Sequence, residues 1–148
     1  MKIQRTTENE IETQAFAKEL AQTFGKNAFY ALKGDLGAGK TCLVQGLAAA
    51  IGIQAAVCSP TFTIANEYHG PNGTRLIHVD LYRLSGPEEL DSIGWDDYLD
   101  SGDAMAVEWP ERAGNELPDR TITVDIKIGQ TPNQRLFTVS APDNRTSR

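Results

Sequence analysis

Eight consecutive residues, Gly34-Asp35-Leu36-Gly37-Ala38-Gly39-Lys40-Thr41, match the pattern GxxxxGK followed by Ser or Thr. A glycine-rich run of this kind turns successive backbone N–H groups toward phosphate oxygens, helped by the positive end of the helix that follows. The Lys40 ammonium is then placed to reach β- and γ-phosphates, and the Thr41 hydroxyl to ligate magnesium. Such a loop needs a carboxylate to hold the metal, usually at the end of a buried strand. Asp80 closes Leu76-Ile77-His78-Val79, and Glu108 closes Ala104-Met105-Ala106-Val107. One would hold magnesium, directly or through water, while the other orients an attacking water; spacing does not divide the two roles.

Trp109 and Pro110 follow Glu108, which sets an aromatic plane beside a metal candidate, suited to stacking on a base. No Asn-Lys-x-Asp or Thr-Lys-x-Asp run is present to read guanine, which favours adenine. Arg83, Arg112 and Arg135 are each able to neutralise phosphate charge, and Arg112 is carried forward as a nucleotide contact. His78 alternates with apolar neighbours, as a strand residue hydrogen-bonded locally rather than a proton carrier, and His69 falls in a turn. Cys42 occupies the first helical turn, where the helix end lowers a thiol pKa and bound phosphate opposes it; packing is its default role.

These groups require a strand, a turn and a helix in that order. Ala28 to Lys33 is short, mostly apolar and without alternation, as in a strand buried on both faces, and it runs directly into the glycine loop. From Lys40, the residues Leu43, Val44, Leu47, Ala50 and Ile51 mark a helix that Gly52 stops. Thr61 to Tyr68 and Thr74 to Asp80 flank the turn-rich His69-Gly70-Pro71-Asn72-Gly73, predicting an antiparallel pair and hence a mixed sheet. Ser85 and Glu88 have capping-box spacing with Pro87 in the first turn, predicting a short acidic helix through Ile93. Ala104 to Val107 reads as a buried strand, and Ile122, Val124, Ile126 and Ile128 alternate with polar residues ahead of Arg135 to Ser140, predicting a half-exposed terminal hairpin. Near the start, Thr7-Glu8-Asn9-Glu10 has capping-box spacing; Thr13, Ala17, Leu20 and Phe24 then recur at helical spacing up to Gly25.

The chain of 148 residues suits one domain over 1–141 with a short polar tail, 142–148. Hydrophobic residues at 40% and charged residues at 23% describe an ordinary globule and exclude disordered and fibrous classes. The longest uncharged stretch, Thr41 to Asn66, is interrupted by Gln45, Gly46, Gly52, Gln54, Ser59 and Pro60, so it does not span a membrane. Met1 to Glu12 carries three glutamates and no apolar run, so a secretory signal is absent and a cytoplasmic location is expected. Cys42 and Cys58 have neither zinc-site nor disulfide-framework spacing and are expected as reduced thiols. A net charge of -6 with pI ≈ 4.9 argues against direct nucleic-acid binding by this chain alone.

GDLGAGKT from Gly34, SPTFTI from Ser59, HVDLYRL from His78 and VEWPER from Val107 occur together in this order. Together they resemble the TsaE family, small bacterial ATPases of the tRNA threonylcarbamoyladenosine system, and the likeness covers most of residues 3 to 140. The resemblance implies an α/β fold: a three-layer P-loop NTPase with a mixed central sheet. It implies ATP and Mg2+ as cofactors, with Gly37, Ala38, Gly39, Lys40, Thr41 and Cys42 wrapping the phosphates. Thr41 and Glu108 would hold magnesium, Asp80 would be needed for hydrolysis, and Trp109 would lie near the adenine. Ser59, Pro60 and Thr61 map onto a segment that looks like a switch sensing ATP against ADP. The expected partners are TsaB and TsaD, the latter transferring a threonylcarbamoyl group to adenosine at position 37 of tRNA. The ATP cycle, slow in isolation and stimulated by partners, would reset that complex. Transfer RNA is then met only through the complex, with no DNA or membrane partner. Two other readings stay open: a small-molecule kinase, and a nucleotide-gated binding module without productive hydrolysis.

Overall fold

The computed structural model describes residues 1–35, 38–54, 57, 64–101 and 103–143. Its elements are β1 (Lys2–Thr7), α1 (Glu10–Phe24), β2 (Phe29–Lys33), α2 (Lys40–Ala50), β3 (Ala65–His69), β4 (Arg75–Asp80), α3 (Trp95–Asp100), β5 (Ala104–Glu108), β6 (Ile122–Ile128) and β7 (Arg135–Ser140). Short 3-10 segments cover Pro71–Gly73, Pro87–Ile93 and Pro110–Glu116. The seven strands form one mixed sheet in the order β1-β7-β6-β2-β5-β4-β3. β2 runs parallel to β5 and β6, β4 runs parallel to β5, and the pairs β3/β4, β6/β7 and β1/β7 are antiparallel.

Alternation along the central strands feeds two cores, one on each face of the sheet. Tyr30 and Leu32 join Leu76, Ile122, Val124, Ile126 and Phe137 beneath Phe16, Leu20, Leu43 and Leu47 of α1 and α2. Phe29, Ile77, Val79, Met105 and Val107 face the other way, against Leu81, Leu84, Leu90, Trp95 and Leu99 from the segments between β4 and β5. Helices lie on one face and short turns of helix on the other, which gives the three layers expected. α1 and α2 approach closely because position 46 is glycine: a Cβ there would lie 2.6 Å from the Ala17 Cβ and 2.9 Å from the Gln14 Cα.

Several local expectations are corrected. The first helix is capped by Asn9, not Thr7: the Asn9 side chain accepts the Glu12 amide at 2.9 Å. Thr7 instead ends β1, its hydroxyl 2.7 Å from that of Thr13. The β1 strand itself was not anticipated, because an edge strand with five of its six residues outside the core shows little apolar pattern. The acidic helix after Ser85 is a 3-10 segment followed by the separate α3, and the Ser85 amide donates to Glu89 rather than Glu88, at 2.7 Å. The predicted strand from Thr61 is described from Ala65; Thr61, like the tail residues 144–148, lies outside the described residues.

Candidate active site

Strand register decides what meets at the loop. Leu32 of β2 lies opposite Glu108 of β5, and Glu108 lies opposite Asp80 of β4. The carboxyl ends of three parallel strands therefore open at one edge, where the chain leaves β2 for the glycine loop; ligands of open parallel sheets sit at this edge. Gly39, the N-cap of α2, has φ 103° and ψ 19°, and among the described residues no side chain caps the helix. That left-handed conformation suits glycine, and the start of a helix is where backbone amides converge on an incoming acceptor. Ala38 is buried, while Thr41 and Cys42 are half-buried in the first turn; Gly37 lies outside the described residues.

Lys40 is 7% exposed. Its Nζ donates to the Gly34 carbonyl at 2.9 Å and stands 3.9 Å from Oε1 of Glu108. Glu108 is 5% exposed, and its Oε2 is 2.6 Å from Nε2 of the wholly buried His78. Asp80 is half-buried, and its Oδ1 accepts the Tyr82 amide at 2.9 Å, closing the turn after β4. Lys40, Glu108 and Asp80, expected to act together, are thus positioned by one helix start and two adjacent strand ends. His78 has the local hydrogen bond expected of it, but its partner is Glu108, an alignment that the strand pattern did not reveal.

Trp109 has φ 57° and ψ 51°, a left-handed conformation uncommon outside glycine. Its ring packs on Tyr82 with centroids 4.9 Å apart, and the Lys40 ammonium lies 5.0 Å from its centroid. The ring expected to stack on a base is therefore placed against the lysine. Arg112 donates from Nη1 to the Leu84 carbonyl at 2.8 Å and lies 5.7 Å from the Tyr82 centroid, so the structure ties it to the segment after β4. Arg83 is exposed in that same segment.

On the other side of the loop, toward β7, a cleft of about 300 Å³ is lined by Asn9, Glu10, Thr13, Gly39, Cys42, Asn133 and Arg135. A side chain at Gly39 would meet the Arg135 Nε at 3.4 Å, and Arg135 is held by the Pro132 and Gln134 carbonyls. Burial first, then the charge of Glu10, raises the Cys42 thiol above its ordinary pKa. Asn9, Glu10 and Asn133 were not foreseen as site residues; they are far from the loop in sequence, and the motif at Thr7 to Glu10 signalled only a helix start. Cys58 and the segment Ser59, Pro60 and Thr61 lie outside the described residues.

A lysine beside one carboxylate at a helix start, a second carboxylate on the adjacent strand end and a hydroxyl in the first helical turn are chemistry suited to phosphate and a hard cation. Comparison with known proteins identifies the family. The family model described as "Threonylcarbamoyl adenosine biosynthesis protein TsaE" matches residues 7–137. Proteins named tRNA threonylcarbamoyladenosine biosynthesis protein TsaE include one from Treponema pallidum (strain Nichols), 34% identical over 125 residues, covering 84% of this chain and 91% of that protein. Another, from Bacillus subtilis (strain 168), is 37% identical over 139 residues, covering 94% of this chain and 85% of the relative. The crystal structure of YdiB from Bacillus subtilis superposes with a TM-score of 0.77 at 34% identity, over 98% of this chain and 88% of that one. A match running from the end of β1 into β7, and so across the glycine loop and both carboxylates, means that the chain belongs to the TsaE family.

Proposed function

We propose that this chain is the ATP-hydrolysing component of tRNA threonylcarbamoyladenosine biosynthesis, and that its cycle resets a complex of TsaB and TsaD homologues between turnovers. The observation that carries the reading is the 3.9 Å approach of Lys40, at the start of α2, to Glu108, with Asp80 opposite Glu108 on the adjacent strand. Family membership supports the pathway, and the names of the relatives supply it. The acidic charge of -6 supports contact with tRNA through basic partners rather than directly. No helix among the described residues is long and apolar enough to cross a membrane, and a cytoplasmic location follows from the proposed substrate.

In this reading the amides from Gly39 to Cys42 receive the phosphates, and Lys40 leaves the Gly34 carbonyl to reach the terminal two. The donors offered to a metal, the Thr41 hydroxyl and the Glu108 carboxylate, are hard oxygens, and no cage of three or more His, Cys, Asp or Glu forms among the described residues. That set suits magnesium, which keeps several waters and takes further ligands from phosphate. Bound there, it would neutralise charge developing on the phosphate oxygens. Asp80, anchored through Oδ1 by the Tyr82 amide, orients the attacking water with its other oxygen.

The base is assigned to the cleft beside β7, not to Trp109. Lys40 marks the γ-phosphate end, and a ring 5.0 Å from its ammonium belongs to that end; the nucleoside extends the opposite way, where Asn133 and Glu10 offer polar groups to it. Arg112 then acts on the aromatic side, through Tyr82, and Arg135 is the arginine nearer the nucleotide.

The test is phosphate release from Mg-ATP by the purified chain, alone and with TsaB and TsaD homologues, alongside calorimetric titration of ATP. Slow release that the partners accelerate is expected. Fast release indifferent to partners, phosphate transferred to a metabolite, or no heat of ATP binding would each overturn the proposal. Asn133→Ala should weaken ATP binding more than Trp109→Phe; the reverse order would return the base to the tryptophan.

A further inference from the structure

We propose that His78 is a positioning residue: its Nε2–H fixes one oxygen of Glu108 so that the other is presented to the metal–phosphate site. The inference rests on the assignment of Glu108 as a magnesium ligand made above. His78 and Glu108 come from adjacent parallel strands, two residues out of register, with His78 opposite Ala106 and Glu108 opposite Asp80. Side chains two apart on a strand share a face, so the imidazole lies one step deeper in the sheet than the carboxylates and points up at Glu108 from below. The contact is 2.6 Å and His78 is wholly buried. A carboxylate only accepts hydrogen bonds, so the contact needs the proton on Nε2.

The two oxygens of Glu108 are thereby made unequal. Oε2 is engaged by His78, while Oε1 faces the Lys40 ammonium at 3.9 Å, on the side of the glycine loop. A glutamate at a strand end has three rotatable bonds, and a metal ligand held by one contact alone loses its aim; hydrogen bonds to the second oxygen of a ligating carboxylate supply it. The opposite ring nitrogen strengthens the case. Nδ1 has no hydrogen-bond partner among the described residues, although it is buried. Leaving a buried polar atom unpaired costs stability, so a histidine kept here for packing alone is the poorer choice; the Nε2 contact is what the ring provides.

The experiment compares the full-length parent with His78→Phe, His78→Gln, His78→Asn and Glu108→Gln, using Mn2+ in place of Mg2+ and ADP as the nucleotide. Free Mn2+ is read by electron paramagnetic resonance, and folding by circular dichroism. The Gln amide nitrogen reaches where Nε2 stands, whereas that of Asn stands where Nδ1 does. Metal affinity should fall about 10- to 100-fold in His78→Phe, be largely restored in His78→Gln and not in His78→Asn. If His78→Phe does not fold, the Gln and Asn pair decides by the same order. Nitrogen NMR on the parent should show the His78 proton on Nε2. A folded His78→Phe with parental metal affinity, equal affinities for Gln and Asn, or a proton on Nδ1 instead would overturn the proposal. Parental metal affinity in Glu108→Gln would instead remove Glu108 as a ligand, which refutes the assignment underneath rather than the hydrogen bond.

Discussion

Replacing Lys40 by methionine keeps the length of the side chain and removes its charge. In the structure Nζ gives one hydrogen bond to the Gly34 carbonyl at 2.9 Å; in the proposed reading it exchanges that bond for two to phosphate oxygens when nucleotide binds. The net gain is one charge-assisted bond, about 1.5 to 3 kcal/mol. At about 1.4 kcal/mol per tenfold, Lys40→Met should raise the dissociation constant of ATP about 10- to 150-fold. Thermal unfolding offers an independent reading. With ATP at about 100 times the parent dissociation constant, the parent gains about 2.7 kcal/mol, and a variant binding about 100-fold more weakly gains about 0.4 kcal/mol. For a chain of this size that is a rise of about 5 to 10 °C against about 1 °C. Each rise is taken relative to the same variant without nucleotide, because loss of the buried ammonium also leaves Glu108 less compensated. An ATP affinity unchanged by the substitution would show that Nζ stays on Gly34 and that the amides alone grip phosphate, which refutes the exchange.

Asp80→Asn keeps an oxygen for the Tyr82 amide, so ATP affinity should hold while partner-stimulated phosphate release falls about 10²- to 10⁴-fold; equal loss of affinity would mean that Asp80 supports the fold of the site instead. Gly46→Val drives methyl groups into the backbone of Gln14, and chemical denaturation should show about 1 to 3 kcal/mol of destabilisation. A neutral result would mean that α1 and α2 part without cost. The raised pKa of Cys42 leaves less thiolate at any given pH. In a Cys58→Ser background its alkylation by iodoacetamide should be slower than that of a free thiol at pH 8, with the rate profile displaced to higher pH. ATP should slow it further, since Cys42 lines the cleft assigned to the nucleoside; acceleration by ATP would contradict that assignment.

The glycine loop was legible because its information is local: contiguous residue types, a preceding apolar strand and a following helical pattern. The same holds for β4, β5 and the β6/β7 hairpin, whose apolar or alternating runs survive in one dimension. β1 escaped notice since an edge strand meeting solvent carries polar residues, and α3, at six residues, is too short to display a helical period. The cap of the first helix moved from Thr7 to Asn9 because β1 extends to Thr7, a competition between elements that a capping motif by itself does not settle.

By itself the order of residues determined that a glycine-rich loop of phosphate-binding pattern precedes a helix and that two acids end strands. Only tertiary structure decided that Asp80 and Glu108 are neighbours, that His78 engages one oxygen of Glu108, and that Asn9 and Asn133 share a cleft with Gly39. The physical reason lies in pairing: parallel register sets which strand ends coincide, and it depends on crossovers through α2 and α3 whose packing no short window of sequence contains.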